Sequence, residues 1–276
     1  MGTQAYYLPK SVDEAVDLLA EYGPDLMVMA GGTLAMPLIN EGISMPERVM
    51  GLRRAGMDGI ERVNGSLRIG ATTTLSHLEI QSGLPLLAEA ARAVGGWAVR
   101  NMATAAGNLF APPPAGDFAT ALLALDAEIQ LVSKKGKRSV KVSDFYTGFL
   151  TTALSQDELV SEIVVKVPDG RTAYLKYGRR HANTPSIVTV ALVIGFSEKE
   201  VTTARIALGG VGPYPLRAHS AEAYLIGKSI DPNVLSRVKD LALEECEPFT
   251  DAIASEWYRR RMIPVILGRA FDQITG

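Results

Sequence analysis

The stretch from Trp97 to Asp117 constrains this chain more than any other. It runs Trp-Ala-Val-Arg-Asn-Met-Ala-Thr-Ala-Ala-Gly-Asn-Leu-Phe-Ala-Pro-Pro-Pro-Ala-Gly-Asp. The small residues of the turn at 104–108 let a backbone approach a ligand closely, and we expect their amide N–H groups to point outward. The three prolines at 112–114 favour a fixed extended path, which would hold Asp117 at a set distance from the turn. This combination predicts a site for a phosphate or a ribityl chain.

Another turn of the same kind, at residues 30–33, lies near the amino terminus. The apolar run Leu26–Met29 predicts a strand, Ala30-Gly31-Gly32-Thr33 follows, and a short helix is expected from Leu34 to Ile39. Paired glycines expose N–H groups and a helix start favours negative charge, so an anion could bind there. A Gly-Gly pair is equally explained by the geometry of a strand-to-helix turn.

Composition and charge exclude several classes of protein. A hydrophobic fraction of 47% and a charged fraction of 21% are typical of a globular chain, and the net charge of −2 gives no bulk reason to bind nucleic acid. The longest apolar run, Ile187–Phe196, is too short for a membrane span. The first residues, Met-Gly-Thr-Gln-Ala-Tyr-Tyr, resemble neither a leader nor a myristoylation motif, so we expect a cytoplasmic protein.

Metal and hydrolytic chemistry have no support in the sequence. One cysteine, Cys246, cannot form an internal disulfide, an iron–sulfur cluster or a thiolate zinc site, and we expect a buried, inert thiol in a helix. The three histidines are far apart, so we expect no bound metal. No Gly-x-Ser-x-Gly sequence is present.

The remaining patterns predict mixed helix and strand. Capping boxes are expected at Ser11–Glu14 and at Ser76–Glu79, and a hairpin is expected around the basic turn Lys134–Arg138. After Pro168-Asp-Gly170, three strand patterns precede a mostly helical carboxy-terminal part, which predicts a separate α+β unit. The Gly209-Gly-Val-Gly212 cluster does not open a helix directly, so it is not a Rossmann fingerprint. The basic run Arg259–Arg261 is expected to be solvated, or to contact a partner subunit.

Taken together, these motifs resemble the FAD-binding medium subunit of the molybdenum hydroxylases, the group that includes carbon monoxide dehydrogenase, and the flavin domain of xanthine dehydrogenase. The matching segments are Ala30–Thr33, Arg100–Asn108 continuing to Asp117, and Gly209–Arg217 with Glu222, Leu225 and Gly227. The resemblance implies an α+β fold, with a two-lobed FAD-binding domain (vanillyl-alcohol-oxidase-like) at 1–170 and a smaller α+β domain of antiparallel sheet plus helices at 171–276. The lobes would be about 1–55 and 56–170.

The resemblance also implies the residues that bind FAD. Ala30, Gly31, Gly32 and Thr33, with Gly107 and Asn108, would hold the pyrophosphate, and Thr104 would bind beside it. Further cofactor contacts are implied for Leu34, Ala106, Asp117, Val160 and Lys176. No side chain is expected to act as a general base.

Four positions depart from the family pattern. Ala106 replaces a glycine, Leu34 replaces a polar or acidic residue, and Val94 and Thr184 stand where relatives place aromatic rings. These departures leave the flavin's covering residue and its electron acceptor open.

By resemblance, the chain is the electron-transfer subunit of a complex. Substrate would be oxidised on a large molybdopterin-binding subunit, and electrons would cross a small [2Fe–2S] subunit to FAD and then to an external acceptor. A dimer of heterotrimers is implied. One alternative, motivated by Ala106 and Leu34, is a non-redox scaffold subunit that has lost FAD; another is a stand-alone flavin oxidase.

Overall fold

The computed structural model describes residues 3–276 and has the predicted α+β fold. Met1 and Gly2, on which the expected absence of a leader partly rests, lie outside the described residues. The amino-terminal part holds a parallel sheet in the order β1-β3-β2. Its elements are β1 (Ala5–Tyr7), α1 (Val12–Tyr22), β2 (Leu26–Met29), α2 (Ala35–Asn40) and β3 (Arg48–Gly51).

A second, antiparallel sheet follows in the order β4-β5-β10-β6-β7, with helices inserted between its strands. The first half of this part comprises β4 (Ile60–Val63), β5 (Ser66–Gly70), α3 (Leu75–Gln81), α4 (Pro85–Ala93), α5 (Trp97–Arg100), α6 (Ala105–Leu109) and α7 (Asp117–Ala124). The second half comprises β6 (Glu128–Ser133), β7 (Gly136–Lys141), α8 (Val142–Phe145), β8 (Tyr146–Gly148), β9 (Thr151–Thr152) and β10 (Leu159–Lys166).

The carboxy-terminal part is an antiparallel sheet in the order β11-β12-β13-β14, covered by three helices. Its elements are β11 (Arg171–Gly178), β12 (Ser186–Ser197), β13 (Glu200–Gly209), β14 (Leu216–Arg217), α9 (His219–Leu225), α10 (Pro232–Glu244) and α11 (Glu256–Thr275). The division into domains at residue 170, with two lobes before it, stays a prediction.

Strand β12 explains how the three parts pack together. Its first ten residues are buried on both faces, which is why the sequence there is a nearly continuous apolar run. Ala191 and Val193 belong to the larger core, which is otherwise built mainly from the first two sheets and their helices. Val190 and Leu192 belong to the second core, beneath the carboxy-terminal helices. The carboxy-terminal sheet is therefore enclosed between two hydrophobic cores.

Of the two helix N-caps predicted from the sequence, the structure confirms one and contradicts the other. Ser11 caps α1 by accepting a hydrogen bond from the Glu14 amide at 3.1 Å, as predicted. The box predicted at Ser76 is wrong, because Thr74 caps α3 and accepts from the His77 amide at 3.2 Å. The Ser76 hydroxyl instead donates to Asn101 at 2.6 Å from within the helix.

Two carboxy-terminal residues complete the comparison with the sequence. Arg259 is fully buried, so the prediction that this basic run is solvated is wrong at its first residue. Cys246 is buried as predicted but follows the end of α10, and burial raises the pKa of its thiol to about 12.

Within residues 3–276, none of the helices combines the length and the apolar character that crossing a bilayer requires.

Candidate functional site

One cavity of about 470 Å³ brings together the twelve residues that the resemblance implies for cofactor binding. The walls are formed by loops of the first sheet, the starts of α6, α7 and β10, and one edge of the carboxy-terminal sheet. Its size lies in the range of small-molecule sites. The predicted residues on its wall are Ala30, Gly31, Gly32, Thr33, Leu34, Thr104, Ala106, Gly107, Asn108, Asp117, Val160 and Lys176. That they contact FAD stays a prediction.

The first loop presents a row of amides with no partner. Among residues 3–276, no hydrogen bond forms from the backbone N–H groups of Gly31 to Leu34 to another protein atom. Gly32 has φ of +75°, a left-handed conformation that favours glycine. Consecutive unpaired amides at the start of a helix make an anion-binding concavity, and these four lie on the cavity wall.

Gly31 is required for a different reason, which is close approach. A Cβ at this position would lie 1.7 Å from the carbonyl oxygen of Met102 and 3.2 Å from Cα of Ala103. The first loop therefore packs against the backbone that leads into the second turn. No larger residue fits without separating the two loops.

The turn at 104–108 uses its backbone amides differently from the prediction. The amides of Ala105 and Ala106 donate to Thr73 and Ala71 at 2.9 and 3.2 Å, and the Gly107 amide donates to the Thr104 hydroxyl at 3.1 Å. The prediction that these amides point outward is wrong, because they begin the short helix α6 and anchor it to the segment that follows β5. What remains for a ligand is side-chain chemistry, namely the Thr104 hydroxyl and the Asn108 amide group.

Asn108 also connects this turn to the start of α7. Its Oδ1 accepts a hydrogen bond from the Phe118 amide at 3.1 Å, and no protein atom in the described residues accepts from its Nδ2. The side chain is 7% exposed and lies on the cavity wall. Its amide nitrogen is therefore a donor available to a bound ligand.

Asp117 lies at the centre of a buried polar cluster on the cavity wall. Lys176 donates to its Oδ2 at 2.6 Å, Thr189 donates to its Oδ1 at 2.9 Å, and the Ser186 hydroxyl also donates to Oδ1. Lys176 further donates to the carbonyl of Ala93 at 2.9 Å. The lysine is thus held in the structure rather than solvated, with a side chain that is 13% exposed.

The charges of this cluster balance one another. Burial raises the pKa of the Asp117 carboxyl, and the charge of Lys176 and the bonds from Ser186 and Thr189 oppose that rise. Burial also raises the pKa of Tyr174, whose hydroxyl donates to the Asp117 carbonyl at 3.2 Å. The cluster contributes one paired carboxylate and one paired ammonium to the cavity wall.

Val160 lies in β10 where the strand is irregular. The pairing of β10 with β6 shifts register between Val160 and Glu162, and Val160 is buried on the cavity wall. The preceding segment is clamped by Arg138, which donates to both carboxylate oxygens of Glu158 at 2.6 and 2.7 Å and to the Ala153 carbonyl at 2.7 Å. This pair lowers the pKa of Glu158 to about 2.

The departures from the family pattern have simple structural outcomes. Ala106 lies within α6 and does not have a positive φ, so alanine meets no backbone strain there. Val94 and Thr184 line the cavity and are each 8% exposed, whereas Leu34 is 37% exposed. The small Val94 and Thr184 side chains occupy the positions where the family pattern has aromatic rings.

Several residues of the site escaped the sequence analysis. The most important are Ser186 and Thr189, which do not line the cavity but donate to Asp117 from β12. Thr189 is the one polar side chain in the run Ile187–Phe196, and that interruption was an available signal. No local pattern marks the others, which are Leu52, Ala71, Thr72, Val99, Phe110, Ala111, Leu154, Glu158, Leu159, Asn183 and Pro185.

Comparison with known families covers nearly the whole chain. A family described as "FAD binding domain in molybdopterin dehydrogenase" matches residues 2–168. A second, described as "CO dehydrogenase flavoprotein C-terminal domain", matches residues 173–274.

Individual relatives are similar over their full length. The glyceraldehyde dehydrogenase medium chain of Sulfolobus acidocaldarius is 33% identical over 276 residues, with 98% of each chain covered. A chain of the carbon monoxide dehydrogenase from Hydrogenophaga pseudoflava that lacks the molybdopyranopterin moiety superposes with a TM-score of 0.94 at 32% identity, covering 99% of this chain and 97% of that one. For reconstituted CO dehydrogenase from Oligotropha carboxidovorans the TM-score is 0.95 at 30% identity, covering 99% and 98%. These superpositions confirm the predicted fold.

Proposed function

Because this chain belongs to the family of FAD-binding medium subunits of the molybdenum hydroxylases, we propose that it is the electron-transfer subunit of such a complex. The observation that carries the proposal is the row of four unpaired amides, Gly31 to Leu34, on the wall of a cavity that also holds Asp117 and Lys176. A diphosphate requires several N–H donors close together, and this loop supplies them.

The residues present fit FAD. Gly31 and Gly32 allow close backbone approach, and a Cβ at Gly31 would displace the neighbouring loop. Thr104 and Asn108 add side-chain donors for polyol or phosphate oxygens, and Asp117 with Lys176 offers a carboxylate and an ammonium. The apolar side chains of Val94, Leu154 and Leu159 exclude water from the remaining surface.

When bound, FAD would supply the redox chemistry for electron transfer between [2Fe–2S] clusters and an external acceptor. The chain itself binds, orients and shields that group. Its one cysteine cannot ligate a cluster, so the clusters would reside on a small partner subunit and the molybdopterin on a large one. We propose a dimer of heterotrimers in the cytoplasm.

Two alternative functions predict different experimental results. A scaffold subunit that has lost FAD is less favoured, because Ala106 is unstrained and the amides of the first loop remain unpaired. A stand-alone flavin oxidase would need its own acid–base residues for substrate chemistry, and the charged pair Asp117 and Lys176 on the cavity wall is engaged in mutual pairing.

The test is purification of the tagged chain from its host, with FAD, iron and molybdenum measured per chain. We expect about one FAD per chain, together with iron and molybdenum on co-purifying subunits. A colourless chain that takes up no added FAD would support the scaffold. A yellow chain without partners that oxidises a substrate alone would support the oxidase.

A further inference from the structure

Arg259 is a fully buried arginine outside the cavity. Its Nη1 donates to the carbonyls of Ser186, Ile187 and Gly210 at 3.1, 2.6 and 3.1 Å, and its Nη2 donates to Asp251 at 2.8 Å. The guanidinium carbon lies 4.9 Å from the centre of the Phe249 ring. One side chain on α11 thus joins the start of β12, the turn after β13 and the loop before α11.

Buried arginine is costly unless it is fully paired, so this arrangement calls for a reason. Three carbonyls converge on one nitrogen, and a planar guanidinium can reach three segments at once. Lysine could supply the charge but not the fork of donors. The position therefore requires an arginine for geometry as well as for charge.

Ser186 links Arg259 to the cavity. Its carbonyl accepts from Arg259, and its hydroxyl donates to Oδ1 of Asp117. Ser186 is the first residue of β12, where the pairing with β11 shifts register between Tyr177 and Gly178. The sheet therefore holds Ser186 less regularly than the residues further along the strand.

Thr189, the other hydroxyl on Asp117, is held in another way. It lies inside β12, paired with Lys176 on one side and Gly209 on the other. Its position follows from the regular ladder and does not require Arg259. The two hydroxyls that support one carboxylate thus depend on different parts of the structure.

We infer that Arg259 is a positioning residue of the cofactor site, which fixes Ser186 and through it the Asp117–Lys176 pair on the cavity wall. The inference rests on the proposed function insofar as FAD affinity reports it. It also predicts a change in the protein alone, because a loosened Asp117 would release Lys176 from its buried pair.

The experiment compares R259K, S186A, T189A and their combinations in the full-length chain. FAD affinity is measured by titration of the deflavinated protein, and Lys176 reactivity toward acetic anhydride is measured by mass spectrometry without FAD. We expect R259K and S186A each to weaken FAD binding about tenfold and to expose Lys176, as expected for a lost buried hydrogen bond to a charged group. The R259K/S186A double variant should bind FAD no more weakly than R259K does. The loss of FAD affinity caused by T189A should instead add to the loss caused by R259K.

The matched control is V238A. Val238 is buried in the second core on α10 and does not line the cavity, so this variant lowers stability without loosening Ser186. It should leave both FAD affinity and Lys176 reactivity at the wild-type level. A general loss of stability therefore cannot produce the expected pattern.

Two results would overturn the inference. In the first, R259K lowers the melting temperature but changes neither FAD affinity nor Lys176 reactivity. In the second, the effects of R259K and S186A on FAD affinity simply add. If the wild-type chain binds no FAD while R259K still exposes Lys176, the proposed function fails and the positioning role stands.

Discussion

Gly31 sets how closely the two loops of the cavity approach each other. Gly31→Ala would place a methyl group 1.7 Å from the Met102 carbonyl oxygen, and backbone atoms cannot move aside cheaply. We expect a loss of about 1–3 kcal/mol of unfolding free energy, typical of overpacking, together with loss of FAD binding. Urea unfolding and FAD titration measure the two effects.

Gly96→Ala is the control for that substitution. Gly96 has φ of −98° and no atom within 4 Å of a built Cβ, so alanine fits there without strain. If Gly31→Ala behaved like Gly96→Ala in both measurements, the close packing of the two loops would not matter for the site.

The segment that leads into β10 is held to the second sheet by Arg138 and Glu158. The Ser155 amide donates to Glu158 Oε2 at 2.8 Å, so the same carboxylate orders the segment from within. Because the pKa of Glu158 is lowered from 4.5 to about 2, the clamp is present above the ordinary pKa and is lost as the pH falls through about 2. Hydrogen exchange at the Ser155 amide should therefore stay protected at pH about 4 and lose protection near pH 2.

Glu158→Gln removes the charge at every pH and serves as the comparison for this clamp. In that variant the Ser155 amide should exchange faster already at neutral pH, with no further step on acidification. A wild-type chain that lost its protection near pH 4.5 would show that Arg138 does not stabilise the carboxylate.

The two hydrophobic cores meet at the carboxy-terminal sheet, and the Asp117 cluster lies at that junction. Ala207 and Tyr174 of this sheet pack into the larger core, while Asp117 begins the helix α7. Since apolar contacts and a buried ion pair both cross the junction, we expect the chain to unfold in one cooperative transition.

Asp117→Asn tests the electrostatic part of that junction. It leaves the ammonium of Lys176 without its counter-charge, and breaking a buried pair in this way costs about 3 kcal/mol. We expect a lower urea midpoint, with partial recovery in Asp117→Asn/Lys176→Met, where both charges are gone. A double variant less stable than the single one would contradict the ion-pair interpretation.

Features that depend on neighbouring residues could be read from the sequence by itself. Strands β2 and β12, the Ser11 cap and the glycine turn at Gly31–Gly32 follow from hydrophobic periodicity and backbone sterics, which act over a few residues. Three separated motifs also sufficed to predict the family, and the resemblance implied the twelve residues that the structure brings to one cavity.

Only the tertiary structure decided which partners these residues use. Asp117 meets Lys176, Ser186 and Thr189 across 59, 69 and 72 residues of sequence, and the Arg259 guanidinium reaches Ser186 across 73. The amides of Ala105 and Ala106 likewise find carbonyls in the segment that follows β5 rather than a ligand. A residue's own neighbours determine its conformation, but burial and hydrogen-bond partners depend on segments that meet only after the chain has folded.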